Sequence, residues 1–400
     1  MNQQTASNNH RPLIAIIGNC NTGKSSLLNA LTGQDLSIIS ETPGTTTDAV
    51  SKIYELIPFG PVTFYDTAGL NDTSELGVKR IQATQKIIAR ADLILYIINE
   101  ENISLETEQK LHQFTADRTN FIPVFNFADK HIPNTYTQKM ITHYQGVQTS
   151  AATGYGINEL KNAIIEKLKK IKKAPGLLHN LIKPQDTIIL VTPIDLAAPA
   201  GRLILPQVQT IREALDNNAI TLTVKVEELN QALSLLKTPP ALIITDSQAV
   251  KSVAEIVPPE IPLVTFSMLF ARAKGNFQLM LESTHAINSL QQNDKVLIAE
   301  GCSHHITCDD IGRVKIPALL QKFTSKKLNI EFTSGLDFPE NLNEYKLIIH
   351  CGGCMLNQKE ISRRIEKAVA HNIPITNYGM VISLTQGVLE RTSAPLLKVK

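Results

Sequence analysis

Apolar residues fall along the chain in short β-branched runs, separated by stretches with helical spacing. Leu13 to Ile17 is the first such run; a glycine-rich turn follows it, and then a helical stretch from Ser25 to Leu31. Val62–Tyr65, Leu93–Ile98 and Ile122–Phe125 have the same buried-strand character, and a helical pattern from Ile157 to about Lys170 closes the region. Strands that alternate with helices predict an α/β domain with a mostly parallel sheet. The basic run Lys167–Lys173 reads as a solvated helix end entering a linker marked by Pro175, Gly176 and Pro184.

The alternation then restarts. Thr187–Val191, Ile220–Val226, Ala241–Thr245 and Pro262–Phe266 are strand-like, with helical patterns around Val208–Leu215, Glu227–Leu236 and Gln248–Ile256. Pro199 and Gly201 make a turn, after which Arg202 is expected to begin an apolar strand. So small a unit buries little core alone, which points to a docking or dimerisation module. A third region opens near Met268 with a long helical pattern to about Leu290. Strands are expected at Val296–Ala299, Leu328–Phe332, Leu347–His350 and Pro374–Asn377, and helices near Pro317–Phe323, Lys359–Ala370 and Val381–Glu390. No repeat of fixed short period is evident. The expected organisation is a flexible tail at 1–11, an α/β domain at 12–174, a linker at 175–185, a small α/β domain at 186–266 and a further α/β domain at 267–400.

Composition narrows the function classes. The 400 residues are 43% hydrophobic and 19% charged, with a net charge of +2. Such near-neutrality argues against an overall electrostatic grip on nucleic acid. No apolar run approaches a membrane span, and the polar start lacks a signal-peptide core, so a cytoplasmic protein is expected. Of five cysteines, Cys20 stands alone and Cys302, Cys308, Cys351 and Cys354 share the last quarter. An odd count in a large chain suits metal or redox chemistry better than a disulfide framework.

Gly18-Asn-Cys-Asn-Thr-Gly23-Lys24-Ser25 fits the phosphate-binding loop at every fixed position, and it lies between a strand and a helix. The glycines let backbone N–H groups turn toward phosphate oxygens, Lys24 supplies charge for the β- and γ-phosphates, and Ser25 supplies a hydroxyl for Mg²⁺. Ser26 follows in the same cradle, and Cys20 within the loop reads as a spacer. Asp66-Thr-Ala-Gly69 follows a strand; Asp66 can hold Mg²⁺ through water, and the Gly69 N–H can sense the γ-phosphate. The threonine cluster Thr42–Asp48 offers one hydroxyl, assigned to Thr46, to the Mg²⁺ shell. Asn126-Phe-Ala-Asp129 follows another strand, and the Asp129 carboxylate can accept both N1–H and N2–H₂ of guanine. The loop Ser150-Ala151 can offer backbone N–H to guanine O6.

In this order, these elements resemble the GTP-binding domain of the Era/TrmE-type GTPases, over roughly Pro12 to Lys172. Two positions depart from the pattern: Phe127 replaces the usual lysine, and Leu70 stands where Ras-like proteins carry a water-orienting glutamine. The resemblance implies that Asn21 holds a potassium ion, giving slow, Mg²⁺-dependent, potassium-stimulated GTP hydrolysis by a group comprising Lys24, Asn21, Asp66 and Gly69.

Cys302-Ser-His304-His305, Cys308 and His350-Cys351-Gly-Gly-Cys354 form a second constellation. Cys302 and Cys351 each follow a strand, and in an open parallel sheet the carboxyl ends of strands share one edge. Four mixed Cys and His ligands suit structural Zn²⁺, whereas three thiolates suit an iron–sulfur cluster with one exchangeable iron; spacing alone leaves both open. Cys308 reads as a fourth ligand or a buried thiol, and His305 as a packing or solvent-facing residue.

Cys302-x-His304 followed far on by His350-Cys351-x-x-Cys354 resembles the metal-site signature of HydF, the [FeFe]-hydrogenase maturation GTPase family. The phrases Gly301–Gly312, His350–Leu356 and Gly201-Arg-Leu-Ile-Leu-Pro206 extend the likeness across all three regions. The resemblance implies an N-terminal GTPase domain, a homodimerising middle domain and a C-terminal metallocluster-binding domain. It implies a [4Fe–4S] cluster on Cys302, Cys351 and Cys354, with His304 or His350 as fourth ligand or as hydrogen-bond partner. It also implies a diiron precursor as cargo, two radical-SAM maturases and apo-hydrogenase as partners, and no nucleic acid or membrane. A zinc-containing GTPase of ribosome assembly or tRNA modification is the alternative. A dithiol–disulfide redox enzyme is a third reading, which His350 and Cys302 fit less well than a metal.

Overall fold

A computed structural model describes residues 11–33, 50–67, 75–99, 103–171, 175–193, 203–301 and 310–397. The threonine cluster 42–48, Gly69, Leu70, the turn at Pro199 and Gly201, and Cys302, His304, His305 and Cys308 lie outside the described residues. The chain separates into two compact units, Met1–Lys173 and Ala174–Lys400.

The first unit carries six strands: β1 (Leu13–Gly18), β2 (Val50–Leu56), β3 (Gly60–Asp66), β4 (Leu93–Asn99), β5 (Phe121–Asn126) and β6 (Val147–Thr149). They lie in the order β2-β3-β1-β4-β5-β6, all parallel except β2, which runs antiparallel to β3. Helices α1 (Lys24–Thr32), α2 (Glu75–Arg90), α3 (Leu105–Ala116), α4 (Thr135–Tyr144) and α5 (Ile157–Lys170) complete it. Every residue of β1 is buried, as a central strand covered on both faces requires. Alternation splits its side chains: Ile14 and Ile16 join Leu27, Leu31 and Ile164 on one face, while Ala15 and Ile17 join Ile87, Leu111 and Phe114 on the other. The strands expected from sequence in this unit are present, each within two residues of its expected end, and α5 matches its expected span. Strands β2 and β6 were not expected.

The second unit contains two four-stranded sheets. Strands β7 (Thr187–Val191), β8 (Ile220–Val224), β9 (Leu242–Thr245) and β10 (Leu263–Thr265) form one, in the order β10-β9-β7-β8. Strands β11 (Lys295–Ala299), β12 (Asn329–Thr333), β13 (Tyr345–His350) and β14 (Ile375–Asn377) form the other, in the order β12-β11-β13-β14. All their pairings are parallel. Counted within each sheet, both have the first strand in the middle, the second on one flank, and the third and fourth on the other. Sequence repeats with the topology. Ile261-Pro-Leu-Val-Thr-Phe-Ser-Met268 answers Ile373-Pro-Ile-Thr-Asn-Tyr-Gly-Met380, and Gly201-Arg-Leu-Ile-Leu-Pro206 answers Gly312-Arg-Val-Lys-Ile-Pro317. The unit is therefore a tandem duplication of one α/β module, whose repeat is too long and too diverged to show as a short period.

Nine α-helices among the described residues pack on these sheets: α6 (Leu205–Asp216), α7 (Leu229–Leu235), α8 (Val250–Ile256), α9 (Phe266–Lys274), α10 (Phe277–Thr284), α11 (Ile316–Thr324), α12 (Gln358–Ala370), α13 (Tyr378–Thr385) and α14 (Leu389–Leu397). Helices α9 and α13 follow the fourth strand of each module and pack on each other. Their N-caps, Thr265 and Asn377, accept from the backbone N–H of Met268 and of Gly379 and Met380. Helix α10 lies on β14 of the second module, and α14 lies on β10 of the first. The modules thus exchange helices, and one hydrophobic core runs through both, from Ile188 and Leu190 through Met268 and Phe270 to Leu297 and Ile348. The segment expected as a linker joins this core: Leu177 and Leu178 are buried, and their N–H groups donate to Glu213 at 2.7 Å each.

Three expectations need correction. The helix expected from Met268 to Leu290 is interrupted after Lys274. Gly275 ends α9, and the Asn276 side chain caps α10 by accepting the Leu279 N–H. The apolar strand expected after Arg202 is replaced by the approach to α6. Pro206 sits in the first turn of that helix, where its missing N–H has no cost. The helix expected over Val381–Glu390 is two helices, α13 and α14, separated by Gly387 at φ 74°.

Candidate functional site

The nucleotide loop connects β1 to α1 in the first unit, on the edge where the parallel strands end. Its glycines are required sterically. A Cβ on Gly18 would lie 2.5 Å from the Ile97 carbonyl oxygen, and one on Gly23 would lie 2.4 Å from Asn126 Nδ2. Gly23 also sits at φ 83°, a left-handed conformation that costs other residues about 1–2 kcal/mol. Lys24 is buried, and its Nζ donates to the carbonyls of Gly18 (3.1 Å) and Asn19 (2.7 Å), curling the loop around the ammonium. Burial lowers the Lys24 pKa, while Asp66 opposes the shift.

Asp66 ends β3, in register with Ile16 of β1. Its Oδ2 accepts the Ser25 hydroxyl at 2.7 Å, and its Oδ1 is buried with no hydrogen-bond partner among the described residues. Burial raises its pKa, against the Ser25 hydrogen bond and the Lys24 charge. An orphaned carboxylate oxygen beside a serine hydroxyl is the donor set that a hydrated Mg²⁺ takes. Asn21 is exposed, in the left-handed conformation at φ 60°.

Asn126 is 1% exposed and ties three segments together. Its Nδ2 donates to the Thr22 carbonyl (3.0 Å), and its Oδ1 accepts from Ala151 N–H (3.3 Å) and the Thr149 hydroxyl (3.4 Å). The phosphate loop and the loop at 150 are thereby held by one side chain. Phe127, at φ 74°, lies against Gly23, and the Lys130 ammonium sits 5.3 Å from its ring centre. Asp129 is exposed, and the Ser150 hydroxyl holds its carboxyl below the usual range. The structure therefore brings Gly18, Gly23, Lys24, Ser25, Asp66, Asn126, Asp129, Ser150 and Ala151 to one edge of the sheet. Ser26, at the start of α1, is exposed.

The thiol centre lies in the second module of the second unit. Strands β11 and β13 are neighbours, with Ala299 in register with His350, so their ends stand side by side. Cys351 N–H donates to the Ala299 carbonyl at 2.9 Å. The Cys351 sulfur accepts two backbone N–H groups, from Gly301 at 3.0 Å and Gly353 at 3.3 Å. Gly301 is the residue before Cys302 in the sequence. Gly353 adopts φ 64° and has no room for a Cβ, which would lie 2.5 Å from Ile361 Cδ1. Cys354 is half-buried beside the shared core, and burial pushes its thiol pKa up.

Sequence reasoning missed the residues that build around these thiols. Lys274, at the end of α9, is 6% exposed. Its Nζ donates to the carbonyls of Gly353 (3.1 Å), Cys354 (3.2 Å) and Leu356 (2.7 Å), and stands 5.0 Å from the Phe270 ring centre. Burial lowers its pKa to about 8, with Cys354 and Cys351 opposing the shift. Its one sequence signal is a lysine that closes a mainly apolar helix, two residues after Arg272. Arg364 is fully buried on α12 and donates to Glu360 (2.8 Å), to the Gly335 carbonyl (2.6 Å) and to His350 Nε2 (3.1 Å). His350 Nδ1 lies 2.8 Å from the Cys351 carbonyl. Since Arg364 can only donate, His350 carries its proton on Nδ1 and gives it to that carbonyl. Burial, then the Arg364 charge, lowers the His350 pKa to about 4. Both ring nitrogens are thus engaged, and His350 orients the Cys351 backbone; metal ligation by His350 would break one of these bonds. Among the described residues no group of three His, Cys, Asp or Glu is placed to hold a metal ion.

Two family models cover the second unit: the hydrogen maturase F dimerization domain matches residues 177–275, and the hydrogen maturase F tetramerization domain matches residues 278–395. The chain belongs to the HydF family. The family's two oligomerisation domains coincide with the two modules of the duplication. A third model, a 50S ribosome-binding GTPase, matches residues 13–127. GTPase Der of Kosmotoga olearia is 35% identical over 186 residues, covering 42% of this chain and 42% of that protein. The tRNA modification GTPase MnmE of a Synechococcus strain is 32% identical over 207 residues, covering 50% of this chain and 41% of its own. The chain spans less than half the length of these two curated relatives. Along the chain, the GTPase-domain match is thus followed by the family's two oligomerisation-domain matches. No described helix is long and apolar enough to cross a membrane.

Proposed function

We propose that the chain hydrolyses GTP in its first unit and carries an iron–sulfur cluster, and the cargo assembled on it, in its second. The observation that carries the proposal is the Cys351 sulfur, which accepts N–H bonds from Gly353 and from Gly301, the residue preceding Cys302, in a chain of the HydF family. Sulfur that accepts two backbone N–H groups is stabilised as thiolate, the form that binds iron.

For GTP, the N–H groups of residues 18–25 cradle the phosphates, and Lys24 exchanges its carbonyl partners for β- and γ-phosphate oxygens. Ser25, Asp66 and Thr46 would hold Mg²⁺, which would supply charge neutralisation at the phosphates. Asp129 reads guanine, and Ser150 and Ala151 border the base. Gly69 N–H meets the γ-phosphate. Asn21 holds potassium, and the rate is higher in potassium than in sodium. For the cluster, Cys302, Cys351 and Cys354 are the ligands, and His304 supplies the fourth ligand or a hydrogen bond. Three thiolates leave one iron exchangeable, which suits a carrier. The partners are two radical-SAM maturases and apo-[FeFe]-hydrogenase in the cytoplasm, and the diiron precursor is the cargo.

Separability tests the proposal. Lys24→Ala abolishes GTP hydrolysis and leaves iron content intact, whereas Cys351→Ala and Cys354→Ala each remove iron and leave hydrolysis intact. Iron content that does not respond to either cysteine variant contradicts the assignment.

A further inference from the structure

The duplication supplies an internal control for the thiol centre. Each module places a loop after its third strand: Cys351-Gly-Gly-Cys354 after β13 in the second, Asp246 and the tight turn Ser247–Ala249 after β9 in the first. Each such loop is covered by the other module's helix after the fourth strand. Helix α13 packs on Ser247–Ala249, and α9 reaches the cysteine loop, where Gly352 faces Ser267. The last residue of the repeat before its closing glycine, Gly275 or Gly387, is Lys274 in the first module and Gln386 in the second. The same repeat position therefore carries a cation that reaches the cysteine turn in the first module and a neutral amide in the second. Gln386 Oε1 is buried without a hydrogen-bond partner among the described residues, whereas Lys274 donates three hydrogen bonds to the cysteine turn.

We infer that Lys274 is a positioning residue of the thiol centre, delivered by the first module to the second. It fixes the Cys351–Leu356 turn through three carbonyls and offsets the negative charge of metal-bound sulfur. The carbonyl contacts hold Gly353 and Cys354, hence the spacing between the two sulfurs. The ammonium donates to the backbone carbonyl of Cys354 itself, so its charge stands beside the cysteine turn. Net charge and hydrogen bonding around a cluster set its reduction potential, and a cation beside it favours the reduced, more negative state. The charge part of this inference rests on the cluster reading above, while the positioning part concerns the metal-free loop.

The test uses the full chain with Lys274→Met, Lys274→Gln and Lys274→Arg, and two measurements. In metal-free protein, amide hydrogen exchange of the peptide spanning Gly353–Leu356 quickens about tenfold or more in Lys274→Met, and peptides of the phosphate loop are unchanged. In anaerobically reconstituted protein, the ratio of reduced to oxidised cluster at a fixed potential falls about tenfold in Lys274→Met and in Lys274→Gln, equivalent to about 59 mV for one electron, and Lys274→Arg restores it. Wild-type exchange in Lys274→Met overturns the positioning role. A potential shared by the neutral variants and wild type overturns the charge role. If Lys274→Met does not fold, Lys274→Gln, which still donates to the turn, decides the charge role against Lys274→Arg, and Lys274→Gln exchange decides positioning by lying between wild type and a Lys274→Ala chain. If wild-type protein takes up no iron, the cluster reading fails, and hydrogen exchange still judges Lys274.

Discussion

Asn126→Ala removes the side chain that, among the described residues, bridges the phosphate loop and the loop at 150. Three hydrogen bonds are lost, at 3.0, 3.3 and 3.4 Å. The first has good geometry, and the other two are long. At about 1 kcal/mol net for the short bond and less for the others, with about 1–3 kcal/mol for each buried group left unsatisfied, the gross loss is roughly 2–4 kcal/mol. The loops recover part of this by relaxing toward water in the nucleotide-free protein. That recovery must be reversed on binding, so about 2 kcal/mol appears as weakened affinity, close to 30-fold at about 1.4 kcal/mol per tenfold. Titration with a fluorescent GDP analogue reads the change, and calorimetric unfolding shows whether the first unit is still cooperative. A cooperatively folded variant whose Kd stays within about threefold of wild type refutes the view that Asn126 pre-organises the site.

Gly23→Ala places a methyl group against Asn126 Nδ2 at a left-handed φ, and nucleotide binding falls below detection in the same titration while iron content is unchanged. Arg364→Met strands the buried Glu360 with Arg363 alone and frees His350 Nε2; the second unit loses about 3–5 kcal/mol, lowering its Tm by roughly 6–20 °C in calorimetry. Burial raises the Glu360 pKa, but its bonds to Arg363 and Arg364 more than compensate, so its folded value lies below the ordinary one. A depressed carboxyl pKa stabilises the fold above the unfolded value and loses that contribution as pH falls through the folded value. Unfolding of the second unit therefore becomes easier on acidification below the ordinary carboxylate range, and Glu360→Gln flattens that part of the profile measured by denaturant titration.

The phosphate loop was legible because its spacing is a chemical requirement: glycines where a Cβ would strike Ile97 or Asn126, and a lysine long enough to curl back on its own loop. The central strands were legible for a similar reason, since a strand covered on both faces must be apolar at every position. Strand β2 escaped because Val50-Ser-Lys-Ile-Tyr-Glu-Leu56 has the mixed pattern of an edge strand. The break after Lys274 escaped because Gly275 and Asn276 interrupt a helical period that resumes at once in α10. The duplication was hidden by divergence of the loops that matter most: one module carries Asp246 and Ser247 where the other carries its cysteine turn. Lys274 and Arg364 were not legible because buried cations are identified by their partners, which for Lys274 are carbonyls 79 to 82 residues away in sequence and for Arg364 include a histidine on the preceding strand.

The central claim is that the second unit holds an iron–sulfur cluster on its thiols. Its most direct test is the iron and acid-labile sulfide content of anaerobically reconstituted protein, with the EPR spectrum of the dithionite-reduced sample. The account predicts about four iron and four sulfide per chain and a one-electron-reduced cluster signal. Colourless, EPR-silent protein with one zinc per chain contradicts it.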